Sequence, residues 1–211
     1  GMDNLFYNFQ TRQRNICSIT FVGFIIFESF NMNIKKFQQW AEREYSPQKR
    51  LLLVIPALIL FCFILPVLFV AVSITLDRYF QWPLFLWGYL NGVIGIICIL
   101  TGGWLGLWTV RIQFVIGRGT PYPFMPTQKL IISGPYRFCR NPMIFGAFVA
   151  YFGMAVWVAS PSGVIMIILF LAVASGYFKL VEEKELEARF GTEYIDYKKT
   201  TPFILPYFKR K

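Results

Sequence analysis

The sequence predicts an all-α, polytopic membrane protein. Four to five transmembrane helices are expected, including a tight C-terminal helical hairpin, followed by a cytoplasmic C-terminal segment. Three observations carry this. Of 211 residues, 56% are hydrophobic and only 15% are charged, where soluble domains carry about 25% charged residues. The missing charge is concentrated in long stretches that hold almost none, several of them near the roughly 20 apolar residues that cross a bilayer. The bases sit beside those stretches, as membrane flanks do. An ordinary soluble globular domain and a disordered chain are thereby excluded.

Taken in order, residues 1–50 read as an N-terminal extension with a short apolar segment at 16–30. That segment follows Arg12 and Arg14 as a signal peptide would, but Glu28 interrupts it and no small-x-small cleavage site follows. Gly1 before Met2 has the look of a cloning remnant, and Met32 is a second possible start. Residues 51–211 form the membrane domain. Its first span, 51–76, is apolar throughout, with Pro56 and Pro66 as kinks. Asp77, Arg78 and Tyr79 break it. The second span, 83–110, holds Gly88, Gly92, Gly95, Gly102, Gly103 and Gly106. Such spacing lets helix backbones approach closely, or it offers a surface to a flat ligand. Trp87 and Trp104 are placed to mark its two interfaces. Spans at 142–159 and 163–178 are short and are joined by Ser160, Pro161 and Ser162 as a hairpin.

Charge orients these spans. Bases crowd 31–50 (Lys35, Lys36, Arg43, Lys49, Arg50), 111–141 (Arg111, Arg118, Lys129, Arg137, Arg140) and the tail, while 77–82 and 160–162 carry Arg78 alone. The positive-inside rule places the three basic regions in the cytoplasm. Segments 111–141 and 179–206 are then neighbours at one membrane face, because one hairpin joins them.

The net charge of +10 is accounted for by these flanks, so no nucleic-acid partner is expected. Histidine is absent, which excludes a Ser-His-Asp triad, an HExxH zinc site and imidazole general-base chemistry. Cys17, Cys62, Cys98 and Cys139 show no CxxC pairing, so neither a disulfide framework nor a metal site is indicated.

Two constellations carry possible chemistry. The first runs from Ser133 through Gly134, Pro135, Tyr136, Arg137, Phe138, Cys139, Arg140 and Asn141 to Pro142. Gly-Pro makes a turn, Asn141 suits an N-cap and Pro142 suits the first helical position. Arg137 and Arg140 beside a helix N-terminus make an anion site, or they are membrane-surface charge. The second runs from Glu182 to Gly191. Glu185 and Arg189 form an i,i+4 pair of the solvated kind. Glu182 shares a face with Leu186 and Phe190, and Glu183 borders it, so one or both point inward unless the group is an exposed acidic collar. Arginines and carboxylates meeting at one membrane face suit a zwitterionic ligand.

In order, Gly119-Thr120-Pro121-Tyr122-Pro123-Phe124, Leu130, Gly134-Pro135-Tyr136-Arg137, Arg140-Asn141-Pro142-Met143, Gly146, Glu182-Glu183, Leu186, Phe190-Gly191, Tyr194, Tyr197 and Pro202 to Pro206 form a pattern. It resembles the isoprenylcysteine carboxyl methyltransferase and phospholipid methyltransferase family of integral membrane enzymes over roughly 83–206. Many members carry His-Pro-x-Tyr where this chain has Asn141-Pro142-Met143-Ile144. The resemblance implies S-adenosylmethionine as methyl donor, bound at the cytoplasmic end of the hairpin under the C-terminal segment. It further implies that Tyr136, Arg140, Asn141, Pro142, Gly146, Glu182, Tyr194 and Tyr197 bind the cofactor. Glu182, Glu183 and Arg137 are the catalytic candidates. A lipophilic or prenylated acceptor enters from the bilayer, with membrane lipids as the other partners. The membrane is a bacterial inner membrane or one of endoplasmic-reticulum type.

A sulfonium methyl is already activated, so transfer is governed by proximity and orientation. A carboxylate acceptor is ionised at neutral pH and needs no base. An amine acceptor needs a proton acceptor, for which Glu182 or Glu183 is suited. Three functions stay open: a methyltransferase acting on a prenylcysteine-type carboxylate, a lipid amine or a small thiol; an NADPH-dependent membrane reductase; and a non-enzymatic membrane protein.

Overall fold

The computed structural model describes residues 46–85, 88–119 and 127–207. The apolar segment 16–30, Trp87 and the stretch Thr120 to Phe124 lie outside the described residues. Everything regular among the described residues is helical. Three helices are long and apolar enough to cross a membrane (Val54–Phe80, Tyr89–Val115 and Pro161–Phe190), and a shorter apolar one runs Pro142–Trp157. This is the build of a multi-pass membrane protein.

Helix α1 (Pro47–Ile59) continues through a π-turn (Leu60–Ile64) into α2 (Leu65–Phe80). The π-turn lies between Pro56 and Pro66, where the ring at 66 removes one ladder donor and a wider turn absorbs the mismatch. The expected break at Asp77 does not occur. The helix runs on to Phe80 and ends at Gln81 in the left-handed conformation. Asp77 is buried, and its carboxylate accepts from the Ser160 hydroxyl and from the Ser162 N–H at 2.9 Å. A charge at a span's end looked like a loop signal, yet its partners lie in the turn of the later hairpin.

Helix α3 (Tyr89–Val115) begins and ends about one and a half turns later than the 83–110 expected from hydropathy. Trp104 therefore lies near its middle, not at an interface. Its main neighbour is α4 (Pro142–Trp157), and the seam is built on missing side chains. A Cβ on Gly102 would stand 2.5 Å from Ala150 N and Gly146 O; one on Gly95 would stand 2.8 Å from Gly153 O. Gly146 and Gly153 answer from α4, where an added Cβ would stand 2.9 Å from Gly102 O and 2.7 Å from Gly95 O respectively. Close backbone packing is thus the role of Gly95 and Gly102, while Gly92, Gly103 and Gly106 face open space. The Asn91 side chain ties the start of α3 to the end of α4 through the Val156 carbonyl, 3.1 Å away.

Helices α4 and α5 (Pro161–Tyr177) form the expected hairpin. Ser160 caps α5, its Oγ accepting from the Gly163 N–H at 3.0 Å. A second π-turn (Phe178–Glu182) then leads into α6 (Glu183–Phe190), and Gly191, at φ 55°, turns the chain into α7 (Thr192–Thr200). An L-residue with a side chain rarely adopts that backbone conformation.

Candidate active site

A polar cap covers the α4 N-terminus. Its first wall is a short 3-10 turn, Gly134–Arg137, made possible by the positive φ of Gly134. The second is the end of α5 with α6 and α7. The third is the extended segment 201–207, which runs back along 138–141. Arg140 N–H donates to Pro202 O at 2.9 Å, Asn141 N–H to Phe203 O at 3.1 Å, and Tyr207 N–H to Phe138 O at 3.0 Å. Asn141 holds the N-cap position of α4, but its side chain does not cap it. The amide instead donates to Phe203 O at 3.1 Å. Pro142 follows at the first helical position and is buried.

The cap's ionic centre is Glu183. Its carboxylate takes Arg140 on Oε1 and the Lys198 ammonium, 2.7 Å away, on Oε2. Lys198 also reaches Glu187 at 2.8 Å, and Arg140 Nε donates to Thr201 O at 3.1 Å. Arg140 and Glu183 are both nearly inaccessible. Arg140 is therefore committed to holding α4, α6 and the 201–207 segment together, and is not presented as a free anion receptor. Lys198 has its pKa raised, first by its hydrogen bond to Glu183.

Glu182 differs from its neighbour. It is half-buried and makes no hydrogen bond or ion pair among the described residues. Arg137 is exposed and equally uncommitted among the described residues. Tyr136 ties the first constellation to α3 and α7. Its hydroxyl accepts from Gln113 Nε2 at 2.5 Å, and its carbonyl accepts from the Tyr197 hydroxyl at 2.6 Å. Burial pushes the Tyr136 phenol well above its usual range; the Gln113 contact opposes this and the Glu182 carboxylate adds to it. Tyr194 and Tyr197 are buried, their ring centroids 6.2 Å apart, and burial raises both phenols.

Gly146, expected in the cofactor pocket, lies in the α3–α4 seam. Two other expectations change in this light. The Glu185–Arg189 pair is buried, at 2.6 Å, with Arg189 also donating to the Thr127 carbonyl, so it is no solvated pair. The acidic group is no exposed collar either, since Glu183 and Glu185 are inside. Sequence reasoning missed Gln113, whose Oε1 is buried without a partner; a lone amide near the end of an apolar span was the available signal. It also missed Lys198 and the carbonyls of Thr201, Pro202 and Phe203, for which no side-chain pattern exists.

Chemically, the cap offers an uncommitted carboxylate and an uncommitted guanidinium beside the Tyr136 turn. These suit a ligand carrying an ammonium and a carboxylate, as the amino-acid portion of S-adenosylmethionine does, so the donor set fits that cofactor.

The phospholipid methyltransferase family is matched over residues 90–193. Protein-S-isoprenylcysteine O-methyltransferase of Mus musculus is 35% identical over 85 residues, which are 39% of this chain and 29% of that protein. Methanethiol S-methyltransferase of Mycobacterium tuberculosis is 29% identical over 104 residues, 48% of this chain and 39% of that protein. The chain thus spans well under half the length of these relatives, and the family match takes in α3 from its second residue, the hairpin, the Gly134–Arg137 turn and α6, ending before most of α7 and the 201–207 segment. The similarity to membrane methyltransferases read from the motifs is shown.

Proposed function

We propose, from the phospholipid methyltransferase match over residues 90–193, that this protein is an S-adenosylmethionine-dependent membrane methyltransferase. Its acceptor is lipophilic and enters from the bilayer, a prenylcysteine-type carboxylate before a lipid amine or a small thiol. The observation that carries the reading is the contrast between Glu182, which has no ionic partner among the described residues, and Glu183, which has two. A half-buried carboxylate that no cation reaches at ion-pair distance is disfavoured unless something cationic completes it.

S-adenosylmethionine, when bound, supplies a methyl group on a sulfonium, which needs no further activation. The chain's own residues then bind and orient. Glu182 receives an ammonium. Arg137 receives a carboxylate, for which a guanidinium is the strongest partner. Arg140, clamped by Glu183, holds the α4 N-terminus against the 201–207 segment. Tyr194 and Tyr197, both buried, exclude water from the cap. With an ionised carboxylate or thiolate acceptor no proton need move; with an amine, Glu182 is the group to take it.

The basic regions 31–50, 111–141 and 179–211 argue for a cytoplasmic cap and four spans, or five if 16–30 crosses. A bacterial inner membrane or an endoplasmic-reticulum-type membrane suits that orientation. A small-thiol acceptor is favoured by one observation, the methanethiol S-methyltransferase among the relatives.

The test is binding of S-adenosylmethionine and S-adenosylhomocysteine to detergent-purified protein by calorimetry, with NADPH as control. Saturable binding weakened at least tenfold in Glu182→Gln is expected. Binding of NADPH in preference would move the protein to the reductase class, and no binding of either would end the enzymatic reading. Methyl transfer to prenylcysteine, lipid-amine and thiol acceptors then ranks the substrates.

A further inference from the structure

A cleft of about 360 Å³ lies on the outer side of α3, lined by Trp104, Leu107, Trp108 and Arg111. The Trp104 and Trp108 rings are 5.0 Å apart, and Trp104 and Leu107 are 63% and 55% exposed. At 100° per residue these four positions point away from Gly102 and Thr109, which are buried on the other side of the helix, where Gly102 meets α4. The cleft is therefore turned away from α4, and its Trp108 wall borders the Gly134 turn, where a Cβ on Gly134 would stand 3.6 Å from Trp108 Cζ2.

Its length and depth suit one class of molecule. Trp104 and Arg111 are about 10 Å apart along the axis, and Arg111 stands about 13 Å from the helix midpoint, close to the edge of a hydrocarbon core about 30 Å thick. From there a guanidinium snorkels to phosphate level. Arg111 is exposed and makes no hydrogen bond or ion pair among the described residues. The bases that follow it, Arg118, Lys129 and Arg137, belong to a stretch without a single Asp or Glu. We propose that this cleft binds one anionic phospholipid of the surrounding bilayer, its phosphate forked by Arg111 and its upper acyl carbons lying across Trp104 and Leu107. A zwitterionic headgroup would bring its own cation against the same basic stretch, so net negative charge is selected.

The full chain, reconstituted in nanodiscs, tests this by tryptophan quenching with brominated phosphatidylglycerol against brominated phosphatidylcholine at matched fractions. The expected result is about fivefold stronger apparent binding of the anionic lipid, the ratio one basic residue near an anionic surface supplies. Arg111→Gln removes the preference, Arg111→Lys retains most of it, and Trp104→Phe removes the preferentially quenched component. Arg78→Gln, at the far end of α2, leaves it intact. Equal quenching by both lipids, or a preference that survives Arg111→Gln, overturns the proposal. So does Trp104 fluorescence that neither lipid reaches.

Discussion

Glu182 and Glu183 are adjacent, chemically identical and differently used. Glu183 is 6% exposed and neutralised by Arg140 and Lys198. Removing its charge strands a buried guanidinium, so Glu183→Gln should destabilise by about 3–5 kcal/mol, the range for breaking a buried pair, read as a fall in thermal midpoint. Glu182→Gln should leave that midpoint unchanged and lose ligand binding. The reverse pattern would exchange their roles. The Lys198 pKa is raised in the fold above its ordinary 10.5. Its contribution is thus full below that value and lost as pH climbs through the raised one, so the bridge persists through neutral and mildly alkaline assays. Cys139, buried beside these residues, has its thiol pushed up to about 11 by burial, against an opposing backbone hydrogen bond from Asn141. Thiolate is the reactive form, so maleimide labelling of Cys139 should be absent at neutral pH in folded protein and appear on denaturation, followed by peptide mass spectrometry.

At the scale of elements, the α3–α4 seam and the hairpin decide where the site can form. Gly102 and Gly103 are neighbours on α3, yet a Cβ at 102 meets Ala150 and Gly146 backbone at 2.5 Å and one at 103 meets nothing. Gly102→Leu should therefore cost at least the 1–3 kcal/mol typical of overpacking, while Gly103→Leu stays near neutral. Equal thermal midpoints for the two would refute the seam. Much of this scale was legible in the sequence. Hydropathy located the helices, and Ser160-Pro161-Ser162 announced the hairpin and hence which segments share a face. Asp77 shows what was not legible. A local reading treats its charge as the end of a span, but its burial depends on donors at Ser160 and Ser162, far along the chain. The π-turn at Leu60–Ile64 escaped for a related reason, since two prolines predict a kink without saying how the backbone absorbs it. In the site, helix periodicity brought Glu182 and Glu183 to one border but could not separate them. Their difference arises from Lys198 and Arg140, brought in by α7 and α4.

At the scale of the whole molecule, an apolar bundle carries a polar cap, and the two are joined by main-chain hydrogen bonds as much as by charge. The segment 201–207 accepts from Arg140 N–H, Asn141 N–H, the Asn141 amide and Arg140 Nε, and donates through Tyr207. Phe203 also lies under two cations, with Arg140 Cζ 5.5 Å and Lys179 Nζ 5.0 Å from its ring centroid. None of these contacts involves the α3–α4 seam. Ending the chain after Thr200 should then spare the bundle and release the cap. Helical ellipticity in detergent should hold, because α1 to α5 keep their packing. Hydrogen exchange at Arg140 and Asn141 should rise, since their N–H groups lose their acceptors and water replaces them. Binding of S-adenosylmethionine should fall with that exposure, because the α4 N-terminus would lose the segment that orders Arg140. Retained binding in a truncated protein with fast-exchanging Arg140 and Asn141 would show that the ligand is held by Glu182 and the hairpin alone. Loss of helicity would show instead that cap and bundle fold as one unit.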